Sequence, residues 1–172
     1  MKTKSSDHFA LFSNLSILVF IICGVYWSYL FFTTQMVVSE DSISYELSGS
    51  MIYQRGWIEY FRTGPNREPL YPFLVSNAMR AGNLLSIPYQ SVLKLLQLFF
   101  VFVSQIFLLQ ILNRLKINPC LAAFTILYLG CSPAIVNSSL SLYSEIVTYP
   151  LVLGIVLLGA KSWQCIHEKG GR

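Results

Sequence analysis

Residues 10–32 contain no Asp, Glu, Lys or Arg, and as a helix such a run is long enough to cross a hydrocarbon core of about 30 Å. Three later runs share the character: 89–112 with only Lys94 charged, 119–135 with no charge, and 142–160 with only Glu145. Apolar residues in continuous blocks, rather than in amphipathic stripes, do not describe a water-soluble core. The composition agrees: 54% hydrophobic and 12% charged residues, with a mean hydropathy of +0.56. These features predict an all-α integral membrane protein, a single membrane domain over 1–172 with about four transmembrane helices.

The first run has a rival reading as a cleaved signal peptide, because Met1-Lys-Thr-Lys precedes it and Val37-Val38-Ser39 has the form of a cleavage site. Its length, and the interfacial belt of Trp27, Tyr29, Phe31 and Phe32, favour a retained anchor. Asn118-Pro119 supplies a cap and first position for the third span, Pro133 a kink in it, and Lys94 can snorkel from the outer end of the second. Lysines and arginines near span ends orient the chain: Lys2 and Lys4 before the first, Arg114 and Lys116 between the second and third, and Lys161, Lys169 and Arg172 after the fourth. Both termini are therefore expected in the cytoplasm, in the inner or plasma membrane if the source is bacterial. The 33–88 loop and the 136–143 turn then share the extracytoplasmic face.

That loop is expected to carry amphipathic juxtamembrane helices. Five of the eight acidic residues lie in it, Glu40, Asp41, Glu46, Glu59 and Glu68, with Arg55, Arg62, Arg67 and Arg80. Ile43, Leu47 and Met51 recur at helical spacing, with Asp41 or Ser42 as the cap and Gly56 as the stop. A second amphipathic turn, Trp57 to Phe61, would lie with it along the membrane surface. The segment from Thr63 to Pro72 holds three prolines in eight residues, Pro65, Pro69 and Pro72, and predicts a rigid extended turn. A short helix from about Pro72 to Arg80, ending at Gly82, would follow.

Several function classes are excluded. The net charge of +4 comes from singly scattered basic residues, without the clustered patch that nucleic acid requires. Cys23, Cys120, Cys131 and Cys165 have neither C-x-x-C spacing nor a His nearby in ligand spacing, and read as small membrane-core residues. His8 and His167 fall on the cytoplasmic side, and no phosphate-loop, dinucleotide, zinc-protease or nucleophile-elbow motif is present.

Chemistry is then left to a few extracytoplasmic residues. Asp41 and Glu40 follow the first span, where a carboxylate can take a proton from an acceptor hydroxyl or hold a divalent cation, while Asp41 can equally serve as a helix cap. Arg67, in the proline-stiffened turn, suits bidentate recognition of a phosphate or diphosphate, or pairing with Glu68 or an anionic lipid headgroup. Glu145 opens the fourth span, where an acid near membrane depth is a site candidate unless it merely caps the helix.

The order Asp41-Ser-Ile-Ser-Tyr45, Arg67-Glu-Pro-Leu-Tyr-Pro72 and Tyr143-Ser-Glu145 resembles the polytopic glycosyltransferases of the C-type fold, the group similar to protein mannosyltransferases and lipid A aminoarabinose transferases (family 39-like). The resemblance implies transfer of a sugar from a polyprenyl-phosphate donor to an extracytoplasmic acceptor. It makes Asp41 the catalytic base or metal-associated carboxylate, Glu145 the second acid, Arg67 the contact for the lipid-linked phosphate, and Tyr45 and Tyr71 the pocket walls, with Glu40 beside them. Such enzymes have more spans, so the chain is expected to be an N-terminal portion, or to need a further polypeptide to complete the site. The rival reading is a non-catalytic small membrane subunit that scaffolds a complex. A channel or transporter ranks third, because only Lys94 and Glu145 are charged within the spans.

Overall fold

The computed structural model describes residues 3–38, 40–64 and 67–170, without the side chains of 3–13, 40–41, 164–165 and 167–170. Among the described residues the protein is all-helical: α1 Thr3–Thr33, α2 Glu40–Arg62, α3 Leu70–Leu85, α4 Tyr89–Arg114, α5 Pro119–Cys131, α6 Pro133–Ser139 and α7 Glu145–Gly170. The extended backbone makes one isolated parallel bridge, Val37 to Ser141.

Three helices, α1 over Asn14–Thr33, α4, and α7 over Glu145–Trp163, are long and apolar enough to cross a membrane, and α5 with α6 reaches that length only as a pair bent by 41°. The bend follows from local chemistry. Pro133 has no N–H to continue the α5 ladder, and Ser132 restarts the chain as a cap whose Oγ accepts from the Ile135 N–H at 3.3 Å. Asn118 caps α5 likewise, accepting from the Cys120 N–H at 2.9 Å. Ile17, Ile21 and Val25 on α1, Leu95, Phe99 and Ile106 on α4, and Leu151, Ile155 and Leu158 on α7 all face outward. Rows of this kind call for an apolar surrounding.

Inside the bundle α1 packs on α5 and α4 on α7, around Val19, Cys23, Trp27, Val101, Ile126, Ile135 and Ile146. The break after α5 leaves the Gly130 carbonyl without its helical partner, and the Trp27 Nε1–H fills the gap at 2.8 Å. Gln105 donates to the Ile126 carbonyl at 3.3 Å and lies 3.2 Å from Cys23 Sγ. A Cβ on Gly130 would stand 2.0 Å from Gln105 Nε2 and 2.7 Å from Cys23 Sγ, so only glycine admits this contact.

At the end of the bundle where α1 stops and α4 and α7 start, α2 and α3 form a hairpin that docks on α4 through α3. The buried face of α2 is Ser42, Tyr45, Ser48, Gly49 and Ile52. Gly49 permits close approach, since a Cβ there would be 2.6 Å from Val75 Cγ1. The Ile43, Leu47, Met51 stripe expected from the sequence runs along another face, and Ile43 and Leu47 stay 48% and 66% exposed. Gly56, expected as the stop of the first amphipathic helix, breaks α2 into two limbs at φ 82° and ψ 176°.

Helix α3 departs from expectation: it starts two residues earlier than Pro72 and runs past Gly82 to Leu85. Its terminator is Ser86 in the left-handed conformation (φ 57°), with the Ile87 N–H returning to the Gly82 carbonyl at 2.9 Å. Gly82 is needed instead for the chain's close return, because a Cβ would meet the Ile87 carbonyl oxygen at 2.8 Å.

Candidate functional site

The hairpin meets the bundle through polar side chains. Tyr45, one α-helical face of α2, reaches the turn before α3 and the turn before α7 together: its hydroxyl donates to Glu68 Oε1 at 3.1 Å and lies 3.0 Å from Ser144 Oγ. Ser144 also reaches Glu68 Oε1 at 3.3 Å, closing a three-membered cluster across segments far apart in the chain. The Tyr45 ring is buried edge-on against Tyr71, with centroids 5.0 Å apart. Tyr71 in turn accepts from Gln97 Nε2 of α4 at 2.6 Å, and the same nitrogen donates to the Ser141 carbonyl at 2.9 Å. One buried glutamine thus joins α3, α4 and the turn before α7.

Arg67 stands on the other side of Tyr45. Its guanidinium carbon lies 5.2 Å from the Tyr45 ring centroid, and Nε donates to Ser44 Oγ at 2.9 Å. Its backbone carbonyl accepts from the buried Tyr60 hydroxyl at 2.9 Å, which ties the turn to the end of α2. Ser44 also borders a groove of about 330 Å³ between the two limbs of α2, shared with Ser48, Met51, Tyr60 and Thr63.

Electrostatics sort these groups. The Glu68 carboxyl is held below the usual carboxylate range, first by its own backbone N–H, against a smaller opposing effect of burial, and then by the Tyr45 and Ser144 hydroxyls and the Arg67 charge. Burial pushes the phenols of Tyr45 and Tyr71 up, and that of Tyr60 as well. At neutral pH the cluster is therefore an ionised acceptor, Glu68, facing neutral hydroxyl donors, with a guanidinium beside them. Such a site can orient hydroxyls and receive an anion.

Of the residues singled out in the sequence, Tyr45, Tyr71 and Arg67 are brought together. Glu145 opens α7 beside this group, exposed to its surroundings, and near enough that its charge bears on Tyr71. The side chains of Asp41 and Glu40 lie outside the described residues; their backbone forms the first turn of α2, so position 41 is inside the helix, one turn ahead of Tyr45. Sequence reasoning missed Glu68 and Ser144 as partners of Tyr45. Glu68 was visible only as a neighbour of Arg67, and Ser144 only as the residue before Glu145, because nothing local says that two turns 76 positions apart will meet. Among the described residues no three His, Cys, Asp or Glu side chains converge as ligands for a metal ion. Compared with known protein families, curated proteins and solved structures, the chain matches none.

Proposed function

We propose that this chain is an integral membrane glycosyltransferase that moves a sugar from a polyprenyl-phosphate donor to an acceptor on the extracytoplasmic face. In this reading α1, α4, the bent α5–α6 pair and α7 are four spans, both termini are cytoplasmic, and the α2–α3 hairpin rests on the opposite face as a pair of juxtamembrane helices. The supporting observation is the convergence of Tyr45, the Arg67-Glu68 turn and Ser144 at the ends of the apolar helices.

Asp41 is the base in this scheme. It takes the proton of an acceptor hydroxyl as that oxygen attacks the anomeric carbon, and the bond from that carbon to the donor phosphate oxygen breaks. The phosphate leaves with its negative charge, which the Arg67 guanidinium meets. Tyr45 and Tyr71 wall the sugar pocket, Glu68 and Ser144 hold the Tyr45 hydroxyl, and Glu40 and Glu145 contact substrate from either side.

The test is Asp41→Asn in reconstituted protein supplied with a lipid-linked sugar. Transfer is expected to fall by about 10²–10⁴-fold; unchanged transfer at normal expression sinks the reading. The exposed Ile43, Leu47 and Ile58 on α2 favour a second reading, a scaffolding subunit that binds a further polypeptide. That reading predicts that loss of Asp41 and Glu145 is silent, and that polar replacement of Ile43 and Leu47 abolishes association.

A further inference from the structure

Lys94 sits in the first turns of α4 with only 9% of its surface exposed. A desolvated ammonium is costly without a counter-charge. Among the described carboxylates none lies within ion-pair distance of Lys94. Its nitrogen donates instead to two carbonyls at the C-terminal end of α1, Phe31 at 2.6 Å and Thr34 at 2.7 Å, and lies 4.7 Å from the Phe31 ring centroid. Those carbonyls have no helical partners and carry the negative end of the helix dipole, so they hold the ammonium without neutralising it. An ammonium has three protons, and two are used.

The third has somewhere to go. Lys94 lines a groove of about 430 Å³ between the end of α1 and the start of α4. Gln90 and Ser91, from the first turn of α4, and Thr34 and Gln35, beyond α1, bring further polar groups to it. The opening turn of a 26-residue helix is itself favourable ground for an anion. The remaining wall is apolar: Phe31, Met36, Pro88, and Phe32, which is 84% exposed. A buried cation with one proton unspent, polar groups around it and an aromatic flank match a phosphate that carries a hydrocarbon tail.

We infer that this groove is the seat of a lipid phosphate, held by Lys94, with Gln90 and Ser91 around the phosphate oxygens and the tail running along Phe32. The seat rests on the membrane placement proposed above and does not depend on sugar transfer. It borders the candidate site, because Met36 packs against the Tyr45–Tyr71 cluster and Gln97, three residues after Lys94, holds Tyr71. A bilayer phospholipid and a polyprenyl phosphate present the same chemistry to it.

The test is native mass spectrometry of the full chain released from phosphatidylcholine nanodiscs doped with phosphatidylglycerol in one arm and undecaprenyl phosphate in the other. The wild type is expected to retain at least one of these anionic lipids over phosphatidylcholine. Retention is expected to fall about tenfold or more in Lys94→Gln, and in Ser91→Asp, which sets a negative charge in the groove while leaving both Lys94–carbonyl bonds in place. Equal retention of both probes identifies a bilayer-lipid seat, and preference for undecaprenyl phosphate a donor-lipid seat; either upholds the inference. If Lys94→Gln does not purify folded, Ser91→Asp decides alone. Retention by Ser91→Asp equal to wild type, or no preference of the wild type for either anionic lipid, overturns it. A protein that retains the lipid yet transfers no sugar keeps the seat and loses the transferase.

Discussion

The helix bundle and the α2–α3 hairpin end satisfy polar atoms among apolar neighbours with a different balance of partners. In the bundle the polar side chains serve the backbone: Trp27 answers the Gly130 carbonyl and Gln105 the Ile126 carbonyl. At the hairpin end Tyr60 and Gln97 do likewise for the Arg67 and Ser141 carbonyls, but side chains also answer one another, with Tyr45, Glu68 and Ser144 in mutual contact and Arg67 over the Tyr45 ring. Backbone repair keeps a helix pair together and nothing more. A closed set of hydroxyls, a carboxylate and a guanidinium at partial exposure is also what a polar ligand exchanges bonds with.

The contrast breaks most sharply through the glycines. Gly130→Val drives a branched side chain into Gln105 and Cys23, and is expected to destabilise the bundle by about 3 kcal/mol, at the upper end of overpacking costs. Gly49→Val makes a comparable clash with Val75, yet should loosen only α2 and α3. Amide exchange in nanodiscs reads both. If Gly49→Val also lowers protection through α1 and α5, the two regions are one cooperative unit and the contrast fails.

Gln97→Leu is the next largest, because it strips partners from the Tyr71 hydroxyl and the Ser141 carbonyl at the junction. A loss of about 1–3 kcal/mol is expected in unfolding experiments in detergent. A neutral result would show that water or another group already serves those atoms.

Acid should separate the regions without mutation. Glu68 has its carboxyl pK depressed in the folded protein, so its contribution is present above the ordinary carboxylate range and is lost as pH falls through the folded value. Between those two values the cluster should persist where an unperturbed carboxyl would already be protonated. Carbon-13 titration of the Glu68 carboxyl reads this directly, and a midpoint at or above the ordinary value contradicts the proposed electrostatics. At the small end, Arg62→Ala removes only a surface contact of 3.9 Å with Glu59 and should change melting by no more than about 0.5 kcal/mol.

What was legible in the sequence divides along the same line. The apolar runs reappear as α1, α4, α7 and the α5–α6 pair because helix length, scarcity of charge, the Asn118 cap and the break at Pro133 are local properties. Gly56 was legible as a break in the helix for the same reason, since a φ of 82° suits glycine. The end of α3 was not: Ser86 in the left-handed region carries no composition signal, and Gly82, which looks like a terminator, is a packing glycine. The cluster was half legible. Arg67 stood out by type and place and Tyr45 and Tyr71 only through the family resemblance, but the partner of Tyr45 depended on how three turns dock, and Glu68 therefore passed for a companion of Arg67.

In the proposed function the hairpin-end cluster, not the bundle, carries sugar transfer. Its most direct test is the rate of sugar transfer from a polyprenyl-phosphate donor by wild type and Glu68→Gln, reconstituted side by side with melting monitored. The prediction is a drop of at least about tenfold with melting unchanged, from loss of the group that holds Tyr45 and Ser144 in place. Equal rates in the two proteins would contradict it.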